Sequence, residues 1–187
     1  MRKASYLVAL FLLPLWQPAW SATIEGVAFA ESRRVDGAKL VLVGTGLQRY
    51  MGIYKVCVAG LYLPEGTQPA AVLDDVPKRL DIQYFHRIRA AQFAELTSKG
   101  VRENTTAAEY ARIKARLDRF AAAYENVNPG DRYTLTYRPG KGVTLALNGV
   151  DKITVEGADF AAALYSVWLG KHPVTQGLKA GLLGGKR

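Results

Sequence analysis

Arg132-Tyr133-Thr134-Leu135-Thr136-Tyr137-Arg138 alternates apolar with polar side chains, and Pro139-Gly140-Lys141-Gly142 turns the chain back into Val143-Thr144-Leu145-Ala146-Leu147. Asn148-Gly149 then marks a tight hairpin turn into a third strand, Lys152 to Val155. Period-two spacing puts Tyr133, Leu135 and Tyr137 on one face of an antiparallel sheet that has a buried side and a wet side. That meander decides the fold class, because its apolar face needs a cover.

The cover is legible on both sides of it. Upstream, Thr106 with Glu109 three residues on makes a capping box, and the helix it starts runs to about Glu125. Tyr110, Ile113, Leu117, Phe120 and Tyr124 are spaced 3, 4, 3, 4 and form one apolar stripe. A shorter helix, Ala90 to Lys99, is expected to stop at Gly100. Downstream, Asp159 to Leu169 and Val174 to Leu183 read as helices separated by Gly170-Lys171-His172-Pro173. Asp159 suits a first helical turn, so it is not paired with Glu156 as an acid and base.

Earlier still the chain is strand-rich. Thr23 to Ala30 reads as one strand. Lys39 to Gly44 reads as another, broken by Gly44-Thr45-Gly46, and Met51 to Leu63 as a long third. Arg79 to Phe85 alternates Leu80, Ile82 and Tyr84 with polar residues. Tyr54, Tyr62 and Tyr84 either line a ligand site or sit in the core, with core the preferred reading. The order predicts an α+β domain, an antiparallel sheet with helices on one face.

The N-terminus has a separate logic. Arg2 and Lys3 precede an apolar run from Ala4 to Trp16, and Ala19-Trp20-Ser21-Ala22 supplies small residues for cleavage. The run is shorter than the roughly 20 residues a spanning helix needs. Residues 1–22 are therefore read as a signal peptide and 23–187 as one domain, periplasmic or secreted, with no transmembrane segment after cleavage.

The formal net charge is +9, falling to +7 without Arg2 and Lys3, which favours anionic molecules and surfaces. The basic residues are spread along the chain and not clustered with aromatics, which argues against nucleic acid. Cys57 is the single cysteine, set within a strand and read as a buried, inert thiol. With only His86 and His172 beside it, no transition-metal site is expected, and no motif calls for a cofactor.

Four segments together resemble the chalcone isomerase-like superfamily, in particular its secreted bacterial branch. They are Gly44-Thr45-Gly46-Leu47-Gln48-Arg49, the run from Lys55 to Pro64, the run from Tyr137 to Gly149, and Phe160 to Pro173 with Trp168-Leu169-Gly170; Lys179 to Gly184 fits the tail. The resemblance implies an open-faced β-sandwich, a large antiparallel sheet with a layer of helices, and a ligand cleft between the layers. In the plant enzymes a chalcone closes there to a flavanone; non-catalytic relatives hold a fatty acid by its carboxylate on an arginine.

By that resemblance Arg49 is the family arginine, catalytic or carboxylate-binding. Cys57 stands at the position of a catalytic threonine, Thr97 at that of a tyrosine, and Asn104 at that of a ring-binding asparagine. The expected function is an exported binding protein for a small amphipathic or anionic molecule, a fatty acid or aromatic acid, with Arg49 at its polar end. Two alternatives stand beside it, an intramolecular lyase acting on a chalcone-like enone and a non-catalytic scaffold. The oligomeric state is left open.

Overall fold

The structure, a computed structural model, describes residues 21–185. The expected signal peptide therefore lies, but for its last two residues, outside the described part. Two strands open the fold as a hairpin, β1 (Ser21–Ile24) and β2 (Val27–Ala30). Seven more form one antiparallel sheet in sequence order: β3 (Ser32–Val35), β4 (Ala38–Tyr50), β5 (Tyr54–Pro64), β6 (Lys78–Tyr84), β7 (Arg132–Arg138), β8 (Gly142–Leu147) and β9 (Val150–Val155). Helices α1 (Ala90–Asn104), α2 (Ala107–Ala122), α3 (Ala158–Leu169) and α4 (Gln176–Leu182) complete the chain. The expected α+β class, a large antiparallel sheet covered by helices, is the one observed.

The expected meander forms, with its third strand beginning at Val150. Tyr133, Leu135 and Tyr137 pair with Leu147, Leu145 and Val143, and all six are buried. With Leu80, Ile82, Ala59 and Leu61 they form the face on which the helices pack. Of the α2 stripe Ile113, Leu117 and Phe120 are buried and Tyr110 half-buried; the helix ends at Ala122, short of the expected Glu125, and Tyr124 is buried just beyond it. Its capping box is present, with Thr106 Oγ1 accepting from the Glu109 amide and the Glu109 carboxylate accepting from the Thr106 amide at 2.7 Å.

Three glycines do a different job from the one read in the sequence. Gly44 and Gly46 do not break a strand, because β4 runs through both. A Cβ on Gly44 would lie 2.3 Å from the Gly181 carbonyl oxygen, and one on Gly46 would lie 2.8 Å from that of Leu178. The two glycines let α4 lie directly on the strand. Gly100 does not end α1 either; a Cβ there would meet Val167 of α3 at 3.0 Å, so it sets a close helix–helix contact.

The strand expected over Thr23 to Ala30 is folded back on itself at Glu25-Gly26, where both residues take positive φ. That hairpin covers the other face of the sheet, where Ile24, Val27 and Phe29 pack on Val58 and the Phe29 ring fills the space above Gly60.

Candidate functional site: a cleft between sheet and helices

An apolar cleft of about 230 Å³ opens between the sheet and the helix layer. Ile82, Leu135, Leu145 and Val167 line its depth; Gln48, Val56, Leu96, Lys99, His172 and Val174 stand around its mouth. Its aromatic wall is tightly organised. Phe93 lies edge-on to Tyr84 at 5.1 Å and to Tyr133 at 5.3 Å, and stacks on Tyr124 at 5.4 Å. Such geometries hold rings rigidly and make a preformed wall.

Three phenols reach this wall, and their hydroxyls are used differently. Tyr133 is fully engaged, donating to the Glu125 carbonyl at 2.9 Å and accepting from its amide at 2.7 Å. Tyr124 shares a hydrogen bond of 3.0 Å with Thr97 Oγ1. The Tyr84 hydroxyl makes no hydrogen bond among the described residues, and its ring lines the cleft. Burial raises the pKa of Tyr84 well above a normal phenol, with Cys57, Tyr124 and Tyr133 adding to it, and burial raises that of Tyr124 as well. Both are neutral donors at any ordinary pH.

The expected site residues are not brought together. Thr97, on α1, is buried in the cleft wall, and a phenol stands beside it after all, supplied by Tyr124 from the end of α2. Asn104 lies at the end of α1 and braces the roof. Its Nδ2 donates to the carbonyls of Gly100 (2.9 Å) and His172 (2.8 Å), and its Oδ1 accepts the His172 amide (2.8 Å). This two-way pairing fixes the His172-Pro173 segment over the cleft.

Arg49 points away from the cleft. A bulge pairs Gln48 with Cys57 but Arg49 with Lys55, leaving Val56 as an extra residue. Gln48 and Val56 therefore turn toward the cleft, while Arg49 and Lys55 reach the outer face. There Glu25 of the β1–β2 turn lies 3.6 Å from Arg49 and bonds to Lys55 Nζ. A strand changes face at every residue, so the arginine expected at the polar end gives way to its neighbour.

Gln48 is the polar residue that sequence reasoning missed. Cys57 Sγ donates to its Oε1 at 3.2 Å. Burial pushes the Cys57 pKa up to about 12, so the sulfur stays a neutral S–H and a donor. That orients the Gln48 carbonyl inward and leaves its NH₂ for the cleft. The period-two rule applied to β4 was the available signal, but the bulge that decides which residue is inward has no local signature. Tyr84 lines the cleft as well as the core; Tyr62 is buried on the other face and Tyr54 is exposed. No cluster of His, Cys, Asp or Glu among the described residues could hold a metal ion.

A family model described as chalcone isomerase-like matches residues 21–184. The chain belongs to the chalcone isomerase-like family. Among solved structures, this chalcone isomerase-like chain is similar to a fatty-acid binding protein of Arabidopsis thaliana. The TM-score is 0.69, with 14% identity over 88% of this chain and 96% of that one. At that identity the likeness is one of fold. No curated protein sequence matches the chain.

Proposed function

We propose that this protein holds a small amphipathic acid, a fatty acid or an aromatic acid, with its apolar part in the cleft and its acid group at the mouth. The observation that carries the reading is the polarity of the cleft itself. Its depth is aliphatic and aromatic, and its mouth gathers the Gln48 amide, His172 and Lys99, the last 3.9 Å from Glu103. A pocket with apolar walls and a few placed polar groups is the usual form of a small-molecule site. The fatty-acid binding Arabidopsis protein with this fold supports the same class of ligand.

The cleft is somewhat smaller than the roughly 300–1,000 Å³ common for ligand pockets, which favours a short chain or a single ring. Gln48 Nε2 is a donor left for the cleft, and Lys99 supplies a cation on the rim. Closing a chalcone-like enone would need a preorganised cation where the enolate forms. Arg49 turned to the outer face and neutral phenols inside favour holding over turnover. The charged start and apolar run of residues 1–22 support export to a periplasmic or extracellular space.

Native mass spectrometry of the purified domain tests the reading. A co-purifying acid, or saturable uptake of a medium-chain fatty acid or cinnamic-type acid that Gln48→Leu weakens, is the expected result. Equal uptake by the wild type and by a variant with the cleft filled, Val167→Trp, would overturn it.

A further inference from the structure

The turn joining β4 to β5 differs from the others of its kind. Positive φ at two successive residues occurs at Glu25-Gly26, Asp36-Gly37, Asn148-Gly149 and Met51-Gly52. Three of these put an acid or an amide at the first position, where hydration suits it. The fourth puts Met51 there, at φ 51°, a conformation disfavoured for a bulky side chain. Nothing packs on it in return: Met51 is 75% exposed, and Tyr50, Ile53 and Tyr54 are 64%, 73% and 63% exposed.

These four are not scattered. Seven large apolar side chains stand exposed among the described residues; the tip holds four, and Leu96 and Val174 are two more. Both of those rim the cleft, as do Gln48 and Val56, the strand residues that lead into and out of the tip. Only Val150 lies elsewhere. Six of the seven exposed apolar side chains thus stand either on the cleft rim or on the tip that its rim residues Gln48 and Val56 lead into, and such a patch marks an interaction surface.

The flanking charge is basic. Arg49 and Lys55 bracket the tip and share the single carboxylate of Glu25. Arg87 and Arg89 stand exposed on the next connection, which is tied to the tip strand where the Phe85 N–H donates a hydrogen bond to the Val56 carbonyl. Lys99 stands on the rim, 3.9 Å from Glu103. Two tyrosines and two aliphatic side chains on a narrow projection, ringed by cations whose stems can lie along apolar surface, are the chemistry of an interfacial anchor. Tyrosine in particular settles at the boundary between lipid headgroup and acyl chain.

We infer that the β4–β5 tip docks this protein onto an anionic lipid bilayer, with the mouth of the cleft facing the membrane. Docking stands on the tip alone; passage of a ligand between bilayer and cleft rests on the reading of the cleft given above.

The test is flotation of the folded domain with vesicles of phosphatidylcholine, with and without phosphatidylglycerol. Wild type is expected to float with the anionic vesicles and to bind zwitterionic ones weakly. Met51→Asp with Ile53→Asp is expected to lower that binding roughly tenfold or more, while Val150→Asp leaves it unchanged. All these positions are exposed, so melting temperature and native-mass ligand occupancy should stay at wild-type values. A dye attached at Met51→Cys should shift to the blue on the anionic vesicles, since the buried Cys57 labels far more slowly than an exposed thiol.

Equal binding by both aspartate variants, or no vesicle binding by wild type, overturns docking. So does a concentration-dependent dimer that the tip variant abolishes while vesicles have no effect, which would make the tip a contact between two copies. Vesicle binding without any bound acid would leave docking in place and remove the ligand reading instead.

Discussion

The two faces of the seven-stranded sheet both bury charge, and they do it by opposite means. On the outer face Asp81 is fully buried. It accepts from Arg79 Nε at 2.8 Å and Thr134 Oγ1 at 3.1 Å, with Arg33 at 3.7 Å and Arg132 at 3.9 Å. One carboxylate is answered by three guanidiniums. On the helix face Lys78 is equally buried, but no carboxylate bonds to it. Its Nζ donates to the Asp74 carbonyl at 2.6 Å and sits 4.9 Å and 5.6 Å from the Tyr137 and Tyr165 rings. Burial lowers its pKa to about 8, with Asp75 and Asp74 opposing the shift. One face surrounds its buried charge with opposite ones; on the other, burial makes the charge easier to lose. The ligand cleft opens on the second face, where a low-dielectric wall is wanted.

The comparison is broken most easily at Asp81. Asp81→Asn leaves three arginines around a neutral amide, and loss of one partner from a buried ionic cluster costs about 3–5 kcal/mol. Urea unfolding of the variant measures it. A loss below about 1 kcal/mol would mean the cluster is effectively solvated and the two faces are not different in kind.

Lys78 sharpens the contrast through pH. Its folded pKa lies below its unfolded one, so the unfolded chain binds more protons between about pH 8 and 10.5, and stability rises with pH across that window. The penalty is fully present below pH 8. Lys78→Met removes it, so the advantage of the variant over wild type should shrink by roughly 2–3 kcal/mol between pH 7 and 10. A difference that stays constant with pH would show that the lysine is hydrated when folded.

The smallest effects separate Gln48 from Arg49. Gln48→Leu should weaken acid binding about tenfold, the worth of one neutral hydrogen bond. Arg49→Ala removes an exposed ion pair and should change stability by less than about 0.5 kcal/mol, without altering acid binding. Hydroxychalcone closure, followed by loss of absorbance, should run at the spontaneous rate in wild type and in Arg49→Ala alike. Closure above background that disappears with Arg49 would restore the arginine to the cleft and the isomerase to first place.

Much of the fold could be read without coordinates. The meander over residues 132–155 and the α2 stripe are local patterns whose period states which side is buried. What could not be read depended on partners distant in sequence. Gly44 and Gly46 look like a turn until α4 is laid across them, and Gly100 looks like a stop until Val167 is beside it. The cleft suffered most from this. Whether Gln48 or Arg49 faces inward turns on one extra residue in the opposite strand, and Tyr124 meets Thr97 from 27 positions away.

Cys57 sits directly behind Gln48, in the strand that floors the cleft, and is buried. Only the thiolate reacts quickly, and only when solvent reaches it. The rate at which a thiol reagent modifies the native protein therefore clocks how often β5 separates from its cover, a breathing that no static view reports. A bound ligand should slow that clock, so the chain carries its own occupancy gauge, readable without attaching a label anywhere else.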